Sequence, residues 1–190
     1  MPHIFLYHLY NLFVMRGFVK SLVLLFAALA MFSCTELRND YTPYISFSAF
    51  LHNPVIVNDS IVGCKDSLAA AYDASLNSYV LDTLPLNDTV LFMVGFGSRG
   101  NDLTAAIISA DTFSLKMHYS VVGDIKAALA SNSKPEKGEL YFVSGYNFVL
   151  FPVTYVARKA GVHKMTFTVR SDSKFSPVSY TFLQPVAAAE

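Results

Sequence analysis

The sequence predicts an all-β fold: one antiparallel β-sandwich with short helical inserts, preceded by a signal peptide. Three observations carry this expectation. Runs rich in β-branched and aromatic residues, several alternating with period two, recur between Thr42 and Val186. Turn signals cut these runs at close intervals, at Ser98–Asp102, Gly123, Pro135–Gly138, Gly145, Ala160–Gly161 and Ser171–Ser173. The helix-like pieces, Asp124–Ser131 and Ser67–Ser75, are too short to cover a parallel sheet, which disfavours a doubly wound α/β fold.

Residues 1–33 carry Arg16 and Lys20 as their only charges. Met15–Lys20 is a short basic start and Ser21–Phe32 an apolar stretch of 12 residues, the length of a signal-peptide core, whereas a membrane span needs about 20. Translation is therefore expected to begin at Met15, with the aromatic stretch Met1–Val14 lying upstream of the true start. At the end of the apolar stretch stands Leu29-Ala30-Met31-Phe32-Ser33-Cys34. It resembles a bacterial lipoprotein box of the Bacteroidota type, although Met31 and Phe32 depart from the usual aliphatic and small choices. The resemblance implies lipidation of Cys34, residues 34–41 as a lipidated tether, residues 42–190 as the sandwich domain, and an outer-membrane lipoprotein of the cell envelope. Acyl chains contribute about 0.8 kcal/mol per buried methylene, so a triacylated cysteine holds a folded domain on a membrane surface. With Cys34 acylated, Cys64 has no intramolecular partner, and it is expected to be a small buried hydrophobe.

Taking the strands in order, Thr42–Phe50 alternates with period two and Asp88–Phe96 is a longer apolar run. Leu103–Ser109, Thr112–Val121, Glu139–Val143, Asn147–Ala157, Val162–Arg170 and Val178–Val186 complete the set. In the run from Val162, alternation puts His163, Met165, Phe167 and Val169 on the core face and Val162, Lys164, Thr166 and Thr168 on the other.

The stretch Ala160–Val169 resembles the penultimate strand of immunoglobulin-like and polycystic-kidney-disease-type domains, where a glycine turn leads into an alternating strand. A last strand, Ser179–Pro185 here, then closes the sandwich. The resemblance covers residues 85–186, and it implies a single immunoglobulin-like antiparallel β-sandwich. Those families place a tyrosine where His163 stands, and the chain has no tryptophan for the core position of antibody-type domains.

Chemical motifs are few. With 14 basic and 14 acidic residues there is no charge excess to steer the chain to nucleic acid. Gly95-Phe96-Gly97-Ser98-Arg99-Gly100 spells the dinucleotide-binding glycine pattern. That site needs a helix whose amino terminus meets the pyrophosphate, and the strand-like run Leu103–Ser109 follows instead, so a glycine-rich hairpin loop is expected. His52, His118 and His163 show no metal-ligand spacing, and the chain contains no nucleophile elbow and no calcium loop. Carboxylate pairs such as Asp59 with Asp66, or Asp82 with Asp88, read as turn and strand-end residues. No cofactor is implied, and a noncatalytic role is expected.

Asp59-Ser60-Ile61, Asp66-Ser67-Leu68, Asp82-Thr83-Leu84 and Asp88-Thr89-Val90 each resemble the site at which Bacteroidota attach O-glycans to exported proteins. The resemblance implies Ser60, Ser67, Thr83 and Thr89 as O-glycosylation sites. The expected function is a binding or assembly module of the cell envelope, held to the membrane through Cys34, with envelope proteins or glycans as partners and no nucleic acid. A pilus- or adhesin-type subunit and a β-sandwich hydrolase or small-ligand carrier are the alternatives. The first would use an exposed edge strand, Thr42–Phe50 or Ser179–Val186. The second would need a deep pocket with converging polar groups. Tyr141, Tyr146 and Tyr155 form a tyrosine-rich region available to a binding face or to the core.

Overall fold

A computed structural model describes residues 40–57, 60–119 and 124–188, with the side chains of Ser60 and Asp124 left aside. The signal peptide, Cys34, most of the tether and Asp59 lie outside the described residues. The described chain belongs to one unit, Asn39–Glu190, built as an all-β sandwich.

In the first sheet the central strand is β8 (Thr89–Gly97). On one side β8 pairs with β12 (Phe148–Ala157), which pairs with β10 (Leu115–Tyr119). On its other side lie β1 (Tyr44–Phe47) and β2 (Phe50–His52) end to end, and β5 (Asp66–Leu68) pairs with β2 alone. The second sheet runs in the order β11 (Glu139–Tyr141), β9 (Leu103–Ala110), β13 (Gly161–Ser171), β14 (Val178–Val186), β7 (Ser78–Leu81) and β6 (Ala70–Asp73). Every pairing is antiparallel except β14 with β7. A separate hairpin of β3 (Val55–Val57) and β4 (Ser60–Gly63) leaves the first sheet between β2 and β5.

The alternation read from the sequence is the alternation that packs. Val90, Phe92, Val94 and Phe96 of β8 and Val149, Phe151, Val153 and Tyr155 of β12 face His163, Met165, Phe167 and Val169 of β13 and Phe182, Gln184 and Val186 of β14. Edge-on and tilted ring contacts tie Phe47, Phe50, Phe92, Phe167 and Phe182 into one aromatic centre, with centroids 4.6 to 6.2 Å apart.

Several expectations are corrected. Ser67–Ser75 is no helix: it is β5 and β6, because Leu68 is drawn into the core and Ala69 then carries the chain across to the other sheet. The other insert shortens to α1 (Asp124–Ala128), anchored by the buried Ala128. The glycine loop after β8 is not a hairpin, since β8 and β9 belong to different sheets and Ser98–Asp102 arches between them. Arg99 takes a left-handed φ of 53°, and the buried Ser98 hydroxyl donates to the Asn101 carbonyl to hold the arch. Val178–Val186 is no edge strand, being flanked by β13 and β7. Among the described residues, no helix is long and apolar enough to cross a membrane.

Candidate functional site

The site begins with a misfit in the strand beside β8. Ser48 donates its N–H to Met93, Leu51 stands opposite Leu91, and the chain between them therefore holds one residue more than β8. This is a β-bulge, and it separates β1 from β2. The Met93 N–H is satisfied by Ser48 Oγ at 2.7 Å rather than by a backbone carbonyl, so the ladder breaks there. The bulge flips the hydrogen-bonding parity. Before it, Ser48 points its N–H at β8, so alternation aims the main-chain groups of Ile45 and Phe47 away from β8. After it, the His52 carbonyl turns outward to accept from Lys65 N–H.

β5 covers this outer edge only along β2, for Phe50 to His52, and then leaves the sheet at Ala69. Alongside β1 no described strand takes its place. The sandwich opens there into a cleft of about 450 Å³, within the range that holds small molecules. Phe47, Phe50, Tyr79, Tyr180 and Phe182 form its aromatic wall, with Ala49 and Ala70 at the rim. The stacked Tyr79 and Phe182 rings, 5.2 Å between centroids, make its floor continuous with the core. No charged side chain lines it. A neighbouring recess of about 410 Å³ shares Tyr180 and runs on past Tyr44 and Arg99.

A second cluster lies at the other end of β2. His52, buried, has Nδ1 2.6 Å from Asp66 Oδ1 and Nε2 2.6 Å from Asp88 Oδ2. Both contacts are hydrogen bonds only when both ring nitrogens carry protons. Burial pushes the Asp88 carboxyl up, and hydrogen bonds from His52 and Asn53, with the fields of His52 and Lys65, outweigh it and hold that carboxyl below the usual carboxylate range. Asn53, at a left-handed φ of 44°, also accepts the Thr89 N–H on Oδ1 at 2.8 Å. The cluster clamps the roots of the β3–β4 hairpin to the start of β8. Among the described carboxylates His52 thus joins Asp66 and Asp88, while Asp59 lies outside the described residues. Asp82 caps the sheet crossing by accepting the Ala69 N–H at 2.7 Å.

Of the residues singled out from sequence, Ser67 and Thr83 are exposed and Thr89 is half-buried. The aspartates that precede them all hold structural hydrogen bonds. Cys64 is exposed and free rather than buried, because it sits where the hairpin leaves the sheet. His163 is buried and donates Nε2–H to the Lys159 carbonyl at 2.7 Å, which fastens the glycine turn that opens β13. Tyr155 is buried in the core, while Tyr141 and Tyr146 are half-buried. The hairpin was not legible beforehand, yet its signal was there: Val55, Ile56, Val57, Ile61 and Val62 are apolar, and the folded chain leaves all five exposed.

No family model matches the chain, and no curated protein matches it. Among solved structures it is similar to domains 4 and 5 of the S-layer protein SbsC, at 16% identity over 65% of this chain and 52% of that one, with a TM-score of 0.29. It is also similar to a family 123 glycoside hydrolase from Clostridium perfringens, at 12% identity over 76% of this chain and 27% of that one, with a TM-score of 0.37. The PapD-like domain 7 of human CEP192 matches at 10% identity over 72% of this chain and 100% of that domain, with a TM-score of 0.32. The chain thus spans about half of the S-layer structure and about a quarter of the glycosidase.

Proposed function

We propose that this chain is a noncatalytic cell-envelope lipoprotein, anchored through an acylated Cys34, whose sandwich is a binding or assembly module that engages its partner in the cleft beside β1. The observation that carries the reading is the coincidence of two features in one place. The free main-chain edge of Ile45 and Phe47 borders an uncharged aromatic cleft. Edges of this kind give affinity through backbone pairing, and an apolar floor gives selectivity. A noncatalytic role is supported by the chemistry of the lining, which offers hydroxyls of Ser48, Tyr79 and Tyr180 but no carboxylate, imidazole or thiol. The strongest acid–base cluster, His52 with Asp66 and Asp88, spends both ring nitrogens on structural hydrogen bonds. A pilus- or adhesin-type subunit is the form of this reading in which the partner supplies a strand. The cleft volume also favours a carrier of a small apolar ligand.

The address is tested by intact and peptide mass spectrometry of the protein extracted with detergent from its native membrane. A mature chain starting at acylated Cys34 is expected, and a chain retaining Met15, or starting beyond Cys34 without lipid, would overturn the anchor. The cleft is tested with an anilinonaphthalene sulfonate dye. Its fluorescence should rise on the wild-type protein and fall several-fold in Ala70→Glu, which puts a negative charge at the rim against the dye's sulfonate. An equal signal from the folded variant would remove the cleft as the binding surface.

A further inference from the structure

The β3–β4 hairpin and the cleft beside β1 are complementary. The hairpin belongs to neither sheet and exposes apolar side chains on both of its faces: Val55, Ile56 and Val57 on β3, Ile61 and Val62 on β4, each about half exposed. Val55–Val57 is a run of three β-branched residues without charge, and its outer edge has no described strand beside it. The cleft has the opposite deficiency: a free strand edge at Ile45 and Phe47, an aromatic floor, and no charged lining. A strand laid there would extend the line that β5 abandons at Leu68, pairing with β1 on one side and setting alternate side chains over Tyr79 and Phe182.

We infer that the occupant of the cleft is the β3–β4 hairpin of a second copy of this chain, with Val55–Val57 as the added strand. This rests on the cleft being the module's binding surface. Three features select a second copy and this arrangement. The strand Val55–Val57 and the cleft lining both lack charged side chains, so neither repels the other on approach. Five half-exposed side chains offer roughly 400 Å² per copy, so two hairpins packed on each other about a two-fold axis would bury only about 800 Å², the scale of an adventitious contact. Seating the hairpin in the cleft adds backbone pairing and a second apolar wall.

The two surfaces also lie in different places. Asn53, at the root of the hairpin, donates to the Thr89 carbonyl, whereas the cleft edge at Phe47 stands beside Val94, five residues or roughly 17 Å along β8. A contact between different patches is heterologous, so it propagates from copy to copy, as an open row or a closed ring.

Mixing the full-length protein with its own variants in detergent tests this. Ile56→Asp disables the hairpin at an exposed position, and Ala70→Arg or Ala49→Arg disables the cleft at exposed rim positions. Each variant is first checked for an unchanged melting transition, and the two cleft variants guard against one failing to fold. Sedimentation of the wild type should show concentration-dependent species beyond the dimer. Each variant alone should be monomeric, and an equimolar mixture of a hairpin variant with a cleft variant should stop at a one-to-one dimer, since one intact contact survives. A wild type that stays monomeric, a folded Ile56→Asp that still assembles, or a mixture that does not pair would overturn the inference. A monomeric wild type whose dye signal still depends on Ala70 would leave the cleft with another occupant, and one whose signal ignores Ala70 would remove both readings.

Discussion

Tyr155 on β12 and Gln184 on β14 bolt the two sheets together through the core. The phenol donates to Gln184 Oε1 at 2.5 Å, and Gln184 Nε2 donates to the carbonyls of Asp82 and Pro185 at 2.9 and 2.7 Å. Both side chains are fully buried, and burial pushes the Tyr155 phenol well above its ordinary value, so it stays a proton donor. Through Asp82 the bolt also fixes the loop that returns the chain from β7 to β8.

Tyr155→Phe leaves Gln184 Oε1 without a donor in an apolar surrounding. The expected loss is about 1–3 kcal/mol, read as a lower midpoint in urea unfolding with an unchanged slope. Gln184→Met added to Tyr155→Phe removes that orphan acceptor, and the double variant should lose less than the sum of the singles. An unchanged midpoint for Tyr155→Phe would show that the contact contributes nothing.

His52→Gln cannot reach both carboxylates. It should cost about 2 kcal/mol, hydrogen bonds to charged groups being worth more than neutral ones. Amide hydrogen exchange should quicken first between residues 53 and 65, where His52 and Asp66 hold the hairpin roots. Uniform quickening over both sheets would instead mean that the cluster supports the whole core.

The acid side of the stability profile follows from Asp88. Its carboxyl is held low in the folded chain, so between its folded and unfolded values the unfolded chain binds more protons. The stabilisation is present above the unfolded value of about 3.9 and is lost as pH falls through the lower folded one. The wild type should therefore lose stability more steeply below about pH 4 than His52→Gln does. Asp73 and Asp111 are also held low, chiefly by hydrogen bonds from Ser75 and Ser114, but they act equally in both proteins and cancel in the comparison. Parallel acid profiles would sink the assignment.

Gly97 is required by an aromatic ring. A Cβ built there would lie 2.3 Å from the Tyr44 ring, which covers the outer face of β8 and has the Arg99 guanidinium 6.0 Å from its centroid. Gly97→Ala should destabilise by about 1 kcal/mol, the cost of swinging the exposed Tyr44 ring off β8. Tyr44→Ala in the same chain should recover most of that loss in chemical denaturation, and an additive double variant would refute the steric account.

What the sequence determined by itself is the material of the sandwich. Strand runs of nine to eleven residues, such as β8, β12, β13 and β14, are legible because side-chain alternation is a property of the local backbone and needs no partner. The core face His163, Met165, Phe167 and Val169 follows from that, and so does the absence of a phosphate-binding helix after Gly95–Gly100. Between Leu51 and Asp88 the strands are three or four residues long, too short for a period to emerge, and there Ser67–Ser75 looks helical in sequence yet folds as β5 and β6. The tertiary structure alone decided the rest. The extra residue at Ser48–Phe50 becomes a bulge only against the register of β8, and that bulge frees the edge of β1. His52 meets Asp66 and Asp88 across 14 and 36 residues of chain, a separation over which no spacing rule runs. The cleft exists because β5 leaves the sheet after Leu68, where burying that side chain and crossing to the second sheet outweighs continuing along β1.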